Sequence, residues 1–124
     1  MYAPSPFGVM LKQAREDARL SQLDLSMELG KTAQYISNIE KGKNNSPPDD
    51  SDLQILIAKL GLSSAEAERF RFLAYADRGM LPPEMFNYLF NSPSLISLIR
   101  NAVEADFDDE FWNKILINTN LKGI

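Results

Sequence analysis

The chain has 124 residues, of which 44% are hydrophobic and 24% are charged, and its formal net charge at pH 7 is −4. It contains neither cysteine nor histidine, which removes disulfides, thiolate nucleophiles, the usual general base and the commonest nitrogen ligand of metals. These absences disfavour an enzyme, and we expect no catalytic residues, no metal site and no cofactor.

The negative charge is concentrated in the later part of the chain. Residues 1–46 hold six basic and five acidic side chains, whereas residues 47–124 hold seven basic and twelve acidic ones. The first part is therefore close to neutral, and the acidic total does not exclude an anionic partner there. No apolar run is long enough to span a membrane, and the first six residues lack the features of a signal peptide. We expect a cytoplasmic protein.

The first predicted helix follows a short arm. Residues 1–6 include two prolines, so we expect solvated or packed irregular chain there. The arm carries no Arg or Lys with which to enter a minor groove. A helix is predicted from about Phe7 to Ala18, with Val9 or Met10, Leu11 and Ala14 facing inward.

Two short helices joined by a tight turn are predicted between Ser21 and Gly42. Ser21 is a good N-cap for the first of them, and Gly30 can take the left-handed conformation that ends it. Thr32 then caps a second helix that ends at Gly42.

The second of these helices has an unusual outer face. Ile36 and Ile39 share one side by helical spacing, and the other side carries short polar residues and one cation: Gln34, Ser37, Asn38 and Lys41, with Ala33 at the N-terminal flank. A solvated helix would normally carry several Glu and Lys residues here. Gln and Asn can pair bidentately with adenine, so this face is typical of a helix that reads base edges.

This pattern closely resembles the helix-turn-helix of phage repressor/Cro-type proteins, the Xre family of bacterial transcriptional regulators. The resemblance extends over roughly residues 7–76 and is carried by Leu20, Ser21, Gln22, Leu25, Leu29, Gly30, Thr32, Ile36, Ile39, Glu40 and Gly42. It implies a five-helix DNA-binding domain, here over residues 1–79, encoded by a bacterium or phage and bound to the nucleoid when active.

The resemblance also implies roles for single residues. Arg15 lies where the family places an arginine that pairs with the glutamate matching Glu40, and such a pair would join the first helix to the reading helix. The base contacts would come from Ala33, Gln34, Ser37 and Asn38. The phosphate contacts would come from Gln22, Thr32, Tyr35, Lys41, Lys43 and Asn44, with Thr32 first a cap and Tyr35 lying either against the DNA backbone or over the turn.

Five further helices are predicted after the loop that ends at Pro47 and Pro48. The fourth is capped by Asp50 or Ser51, and the fifth opens at Ser63 or Ser64 and stops near Arg78. Residues 80–124 form a C-terminal extension of about three helices. Its middle helix is apolar on more than one face, which predicts burial on two sides.

The extension is expected to supply the dimer that repressor-type proteins use on two-fold DNA sites. The predicted interface consists of Leu95, Leu98, Ile99, Phe111, Trp112, Ile115 and Leu116. Leu23 and Met27 form an apolar pair where the family usually has polar residues, and we expect the C-terminal helices of this chain or of a partner to cover it.

The sequence thus predicts an all-α, homodimeric DNA-binding regulator, in the first place a repressor of a palindromic operator. The first alternative is an antitoxin of the same type that binds a toxin through its acidic tail. An antirepressor is another conceivable protein partner. A helix-turn-helix domain converted to protein binding and a small hydrolase are the remaining alternatives.

Overall fold

The computed structural model describes residues 3–43 and 47–119, and every regular element in them is an α-helix. The helices are α1 (Pro6–Asp17), α2 (Gln22–Leu29), α3 (Ala33–Lys41), α4 (Asp50–Leu60), α5 (Ser64–Ala76), α6 (Pro83–Phe90), α7 (Pro93–Ala105) and α8 (Asp109–Asn118). The predicted all-α class, with five helices followed by three, is confirmed. The chain separates into two compact units, Met1–Pro82 and Pro83–Ile124. The predicted division into a DNA-binding domain over residues 1–79 and an interaction segment over residues 80–124 stays a prediction.

Side-chain caps fix where the helices of the first unit begin. Ser21 accepts from the backbone N–H of Asp24 at 2.9 Å, and Asp24 accepts from the N–H of Ser21 at 2.8 Å, which satisfies two otherwise unbonded donors. Thr32 caps α3 as predicted. The cap of α4 is Asp49, not the predicted Asp50 or Ser51, because the chain turns into the helix directly after buried Pro48.

The core of the first unit gathers apolar side chains from all five helices. The rings of Phe7 and Phe70 pack with centroids 4.8 Å apart and join α1 to α5. Of the two alternatives for α1, Met10 packs on this core and Val9 is exposed. The buried set is Phe7, Leu11, Leu25, Ile36, Ile39, Leu53, Leu56, Leu60, Phe70, Ala74 and Tyr75.

Two glycines allow close approaches that set the position of α3. A Cβ on Gly8 would lie 2.6 Å from the carbonyl oxygen of Ile39, so α1 crosses α3 with its backbone almost in contact. Gly42, at φ 80°, ends α3 in the left-handed conformation, and a Cβ there would lie 2.1 Å from the carbonyl oxygen of Ala3. Ala3 and Pro4 are therefore packed against the C-terminal end of α3.

The second unit has almost no core of its own. Ala102 is the one hydrophobic residue that is buried in its described part. The expectation that α7 is buried on two sides is wrong for the single chain, since Leu98, Ile99 and Val103 are exposed. The rings of Phe107, Phe111 and Trp112 form a cluster, with centroids 4.1 Å apart for the two phenylalanines and 5.1 Å apart for Phe111 and Trp112.

Among the described helices, none combines the length and the apolar character that crossing a bilayer requires.

Candidate nucleic-acid interface

The turn between α2 and α3 fixes the orientation of α3 relative to α2. Gly30 is in the left-handed conformation, at φ 66°, and the N–H of Lys31 donates to the carbonyl of Ser26 at 2.9 Å. Oγ1 of Thr32 then accepts from the N–H of Tyr35 at 3.2 Å. These bonds restrict the backbone conformation of the turn and thereby fix the orientation of α3 relative to α2.

A buried ion pair fixes the C-terminal half of α3. Nε of Arg15 lies 2.7 Å from Oε2 of Glu40, and Nη2 donates to Oε1 at 3.1 Å, so the pair is bidentate. The two side chains are 12% and 3% exposed. The hydrogen bond to Glu40 raises the pKa of Arg15. The predicted pairing is confirmed, and Nη1 of Arg15 also donates to the carbonyl of Leu20 at 2.9 Å.

The exposed surface of α3 is formed by Gln34, Asn38 and Lys41. Gln34 and Lys41 are exposed and Asn38 is half-buried. Nε2 of Gln34 donates to Oδ1 of Asn38 at 2.8 Å. The two amides are thus oriented by one another, and they are the groups that can read hydrogen-bonding edges of bases.

Ser37 departs from its predicted place on this surface. It is only 8% exposed, and it lies 60° around α3 from buried Glu40 at a turn of about 100° per residue. The prediction that Ser37 faces outward is therefore wrong, and its predicted base contact stays a prediction. Ala33 is half-buried at the first turn of α3, and its predicted contact to a thymine methyl stays a prediction.

The predicted phosphate contacts surround this surface. Lys41 and Lys43 are exposed, and the backbone N–H of Lys43 donates to the carbonyl of Asn38 at 2.8 Å, which continues the hydrogen bonding beyond α3. Nε2 of Gln22 donates to Oε1 of Glu40 at 3.1 Å, so the first residue of α2 is tied to the ion pair. Asn44 lies outside the described residues.

Tyr35 lies over the turn, the second of its two predicted positions. It is half-buried, and Nζ of Lys31 lies 5.5 Å from the centroid of its ring. Burial, together with the charges of Asp52 and Asp49, raises the pKa of Tyr35 to about 12. The ring therefore remains a neutral phenol at physiological pH. Its predicted contact to phosphate stays a prediction.

Lys12 is a residue that the sequence analysis did not single out. It lines a cleft between α1, α2 and α3 together with Gln22, Lys41 and the Arg15–Glu40 pair. Lys12 precedes Arg15 by three residues, so helical spacing places both on one face of α1. This spacing could have identified Lys12 from the sequence. It places a further cation beside the predicted phosphate contacts Gln22 and Lys41.

The seven residues of the predicted dimer interface lie in the second unit, and all keep part of their surface accessible. Leu95 and Trp112 are half-buried, and the other five are between 37% and 47% exposed: Leu98, Ile99, Phe111, Ile115 and Leu116. In the first unit, Leu23 is 56% and Met27 is 70% exposed. The prediction that C-terminal helices cover this pair stays a prediction.

Comparison with known proteins gives one match. A protein-family model described as helix-turn-helix matches residues 11–66, from the middle of α1 to the first turn of α5. No curated protein and no solved structure matches the chain.

Proposed function

We propose that this chain, which through residues 11–66 belongs to the phage repressor/Cro-type (Xre) helix-turn-helix family of DNA-binding transcription regulators, acts as a repressor. It binds a palindromic double-stranded operator as a homodimer. The family's domain is a regulatory DNA-binding domain and not a catalytic one. The protein works in the cytoplasm of a bacterium or of a phage-infected host.

The observation that carries this proposal is the mutually oriented amide pair on the exposed side of α3. The Gln34–Asn38 hydrogen bond of 2.8 Å holds two side chains that pair well with adenine. Beneath them, the bidentate Arg15–Glu40 pair holds α3 against α1. A preoriented pair loses less conformational entropy on binding than two mobile amides would.

Phosphate contacts then place α3 in the major groove. The exposed cations Lys41 and Lys43 follow the reading surface along the chain, and Lys12 and Gln22 line the neighbouring cleft. Contacts of this kind supply affinity and register, whereas the amides supply sequence preference.

Selection of bound duplexes from a random pool tests the DNA-binding part of this proposal. The expected result is a two-fold symmetric site whose halves are separated by about one helical turn, roughly 34 Å. Enrichment of an asymmetric or single half-site would contradict the dimeric operator. Failure to retain any duplex, even at low salt where phosphate contacts are strongest, would contradict DNA binding itself.

The homodimer is supported by the surface of α7 and α8. Among the described residues, eight large hydrophobic side chains on these two helices are exposed, although a monomer rarely exposes extended apolar surface without a use for it.

Sedimentation at micromolar concentration tests this interface. The wild-type chain is expected to be a dimer, and Leu98→Asp combined with Leu116→Asp is expected to give a monomer, because each change would place a charge in an apolar contact. The control is Ile55→Asp, which replaces an exposed hydrophobic residue of α4 in the first unit. This variant should remain a dimer. A monomeric wild-type protein would contradict the homodimer.

An antitoxin is the second candidate, and the charge of the second unit favours it. Residues 83–124 carry six acidic and three basic side chains, and several acids adjoin the exposed ring cluster at the start of α8. An apolar and acidic surface fits a basic protein partner by charge complementarity. Co-purification from the native host with a stoichiometric basic protein whose toxicity the chain suppresses would support this function over plain repression.

A further inference from the structure

One side of α7 carries a stripe of exposed hydrophobic residues. At a turn of about 100° per residue, Ile96, Ile99 and Val103 lie within about 60° of one another around the helix. Ile96 and Ile99 are each 43% exposed, and Val103 is 73% exposed. A narrow stripe with spacings of three and four residues is the pattern with which one helix packs along another.

A groove of about 370 Å³ adjoins this stripe. Its lining is apolar and aromatic except for one carboxylate, and it consists of Ile99, Ala102, Val103, Asp106, Phe107 and Trp112. Ile99 and Trp112 also belong to the interface proposed for the homodimer. The groove is therefore continuous with that surface.

The carboxylate of the groove lies at the negative end of a helix. Asp106 directly follows α7 and ends it in the left-handed conformation, at φ 55°. The C-terminal end of a helix carries about half a negative charge, and the last turn of α7 contains no basic residue. No hydrogen bond or ion pair within the described residues engages the side chain of Asp106. A cationic group in this groove would therefore be stabilised.

Arg100 is the cation that a second copy of the chain can bring there. Its side chain is exposed and has no hydrogen bond or ion pair to any described part of its own chain. It is separated from its own Asp106 by six residues, or about 9 Å along the helix axis. The other basic residue in the described part of this unit is Lys114, whose Nζ lies 3.8 Å from Oε1 of Glu110.

The positions of Arg100 and Asp106 are symmetric about Val103. Arg100 lies three residues before Val103, and Asp106 lies three residues after it. When two antiparallel helices are related by a two-fold axis at one residue, positions equally far before and after that residue lie at the same level. An axis at Val103 therefore brings Arg100 of each copy to the level of Asp106 of the other.

From this symmetry we propose that α7 packs antiparallel against α7 of a second copy, centred on Val103, and that Arg100 of each copy enters the groove of the other and pairs with Asp106. The inference rests on the proposed homodimer and names the contact that sets its register. The aliphatic part of Arg100 lies on the apolar lining of the groove, and its guanidinium can also contact the rings of Phe107 and Trp112.

Cysteine cross-linking of the full chain tests the register. The chain has no cysteine, so Val103→Cys introduces a single thiol at the expected axis. The control Ser97→Cys places a thiol at another exposed position, about 120° around α7 from Val103. In a glutathione redox buffer, Val103→Cys is expected to form a covalent dimer about tenfold faster than Ser97→Cys, because residue 103 alone meets its own counterpart at disulfide distance.

Exchange of charges tests the ion pair. Arg100→Glu and Asp106→Lys are each expected to raise the dissociation constant of the dimer by about tenfold in sedimentation, because like charges then meet at both symmetric contacts. A mixture of the two variants should form a heterodimer of near wild-type affinity, since both contacts then join opposite charges. Lys114→Glu, the matched reversal of a cation on α8, should change the dissociation constant little and should form no such heterodimer with Asp106→Lys.

A lysine at position 106 has a precedent in this chain, because Arg19 also has a positive φ, of 58°. If Asp106→Lys nevertheless fails to fold, Asp106→Asn removes the charge with a residue type that tolerates this conformation. Asp106→Asn should weaken the dimer by a smaller factor than Arg100→Glu does.

The outcomes separate this pairing from the homodimer itself. Equal cross-linking of the two cysteine variants would overturn the register. A wild-type dimer whose dissociation constant is the same in Arg100→Glu would overturn the ion pair, and the proposed homodimer would stand. A monomeric wild-type chain would overturn both, and a shift of its Trp112 emission on adding a synthetic oligoarginine peptide would then assign the groove to a basic partner protein.

Discussion

Gln34 and Asn38 are joined by a hydrogen bond of 2.8 Å in which Nε2 of Gln34 donates to Oδ1 of Asn38. The two residues are one helical turn apart, so the bond runs along the exposed side of α3. It uses a donor of Gln34 and an acceptor of Asn38, and the other polar atoms of the two amides are Oε1 of Gln34, an acceptor, and Nδ2 of Asn38, a donor. One acceptor and one donor are what the major-groove edge of adenine pairs with, and we therefore expect the two residues to read a base as a unit.

Removing one amide should change sequence preference. Asn38→Ala is expected to lower discrimination at one base pair of each half-site by about 1–3 kcal/mol, measured as Kd against single-base variants of the selected site. Lys43→Ala is the comparison, and it should weaken all these duplexes equally and lower the salt slope by about one. The opposite pattern, with Lys43 setting preference and Asn38 only affinity, would contradict the assignment.

Breaking the buried ion pair should destabilise the fold. Glu40→Ala leaves Arg15 buried without its carboxylate and removes the acceptor of Gln22, and we expect a loss of about 3–5 kcal/mol in the free energy of unfolding. The control is Glu28→Ala, which removes a pair of 3.3 Å with Lys59 between partly exposed side chains and should cost at most about 1 kcal/mol. Urea titration measures both, and equal losses would show that the buried pair has no special role.

The close packing at the end of α3 predicts unequal effects of two glycine substitutions. Gly42→Ala forces a Cβ to within 2.1 Å of the backbone oxygen of Ala3, whereas nothing lies within 4 Å of a Cβ at Gly30. Both residues have positive φ, so Gly30→Ala should cost about 1–2 kcal/mol from backbone strain alone. Gly42→Ala should cost clearly more. Similar melting temperatures for the two variants would mean that Ala3 is not held against the end of α3.

The raised pKa of Tyr35 predicts a dependence of stability on alkaline pH. Its pKa is about 12 in the folded chain, mainly because of burial, and about 10 in an unfolded chain. The folded state therefore favours the neutral phenol, and this contribution is complete below about pH 10 and is lost as the pH rises through about 12. Tyr35→Phe should show a shallower fall in urea midpoint across this range. A slope as steep as that of the wild-type chain would contradict the assignment.

The local features of this fold could be predicted from the sequence because each depends on a few neighbouring residues. Ser21, Gly30, Thr32 and Gly42 mark helix ends through their own caps and backbone conformations, and these signals need no knowledge of the rest of the chain. The amide surface of α3 and the Arg15–Glu40 pair followed from helical spacing and the family resemblance.

The long-range features could not be predicted in the same way. Arg78 donates to the carbonyls of Pro47 and Pro48, about thirty residues earlier in the chain, and nothing in the local pattern distinguishes this arginine from a solvated one. Ser37 was predicted to face outward from its polar hydroxyl, but its burial depends on tertiary packing that residue type alone does not indicate. The exposure of α7 was missed because an apolar pattern indicates that a face is covered without indicating what covers it.

The tryptophan fluorescence of this chain reports on the second unit alone. Trp112 is the single tryptophan of the chain, and it lies in the second unit beside Phe107 and Phe111. Selectively excited indole emission therefore originates entirely outside the DNA-reading helices. A shift in its wavelength or anisotropy would report on the C-terminal helices, while a labelled oligonucleotide independently reports binding at α3. Both events can therefore be timed in one sample with an unlabelled protein.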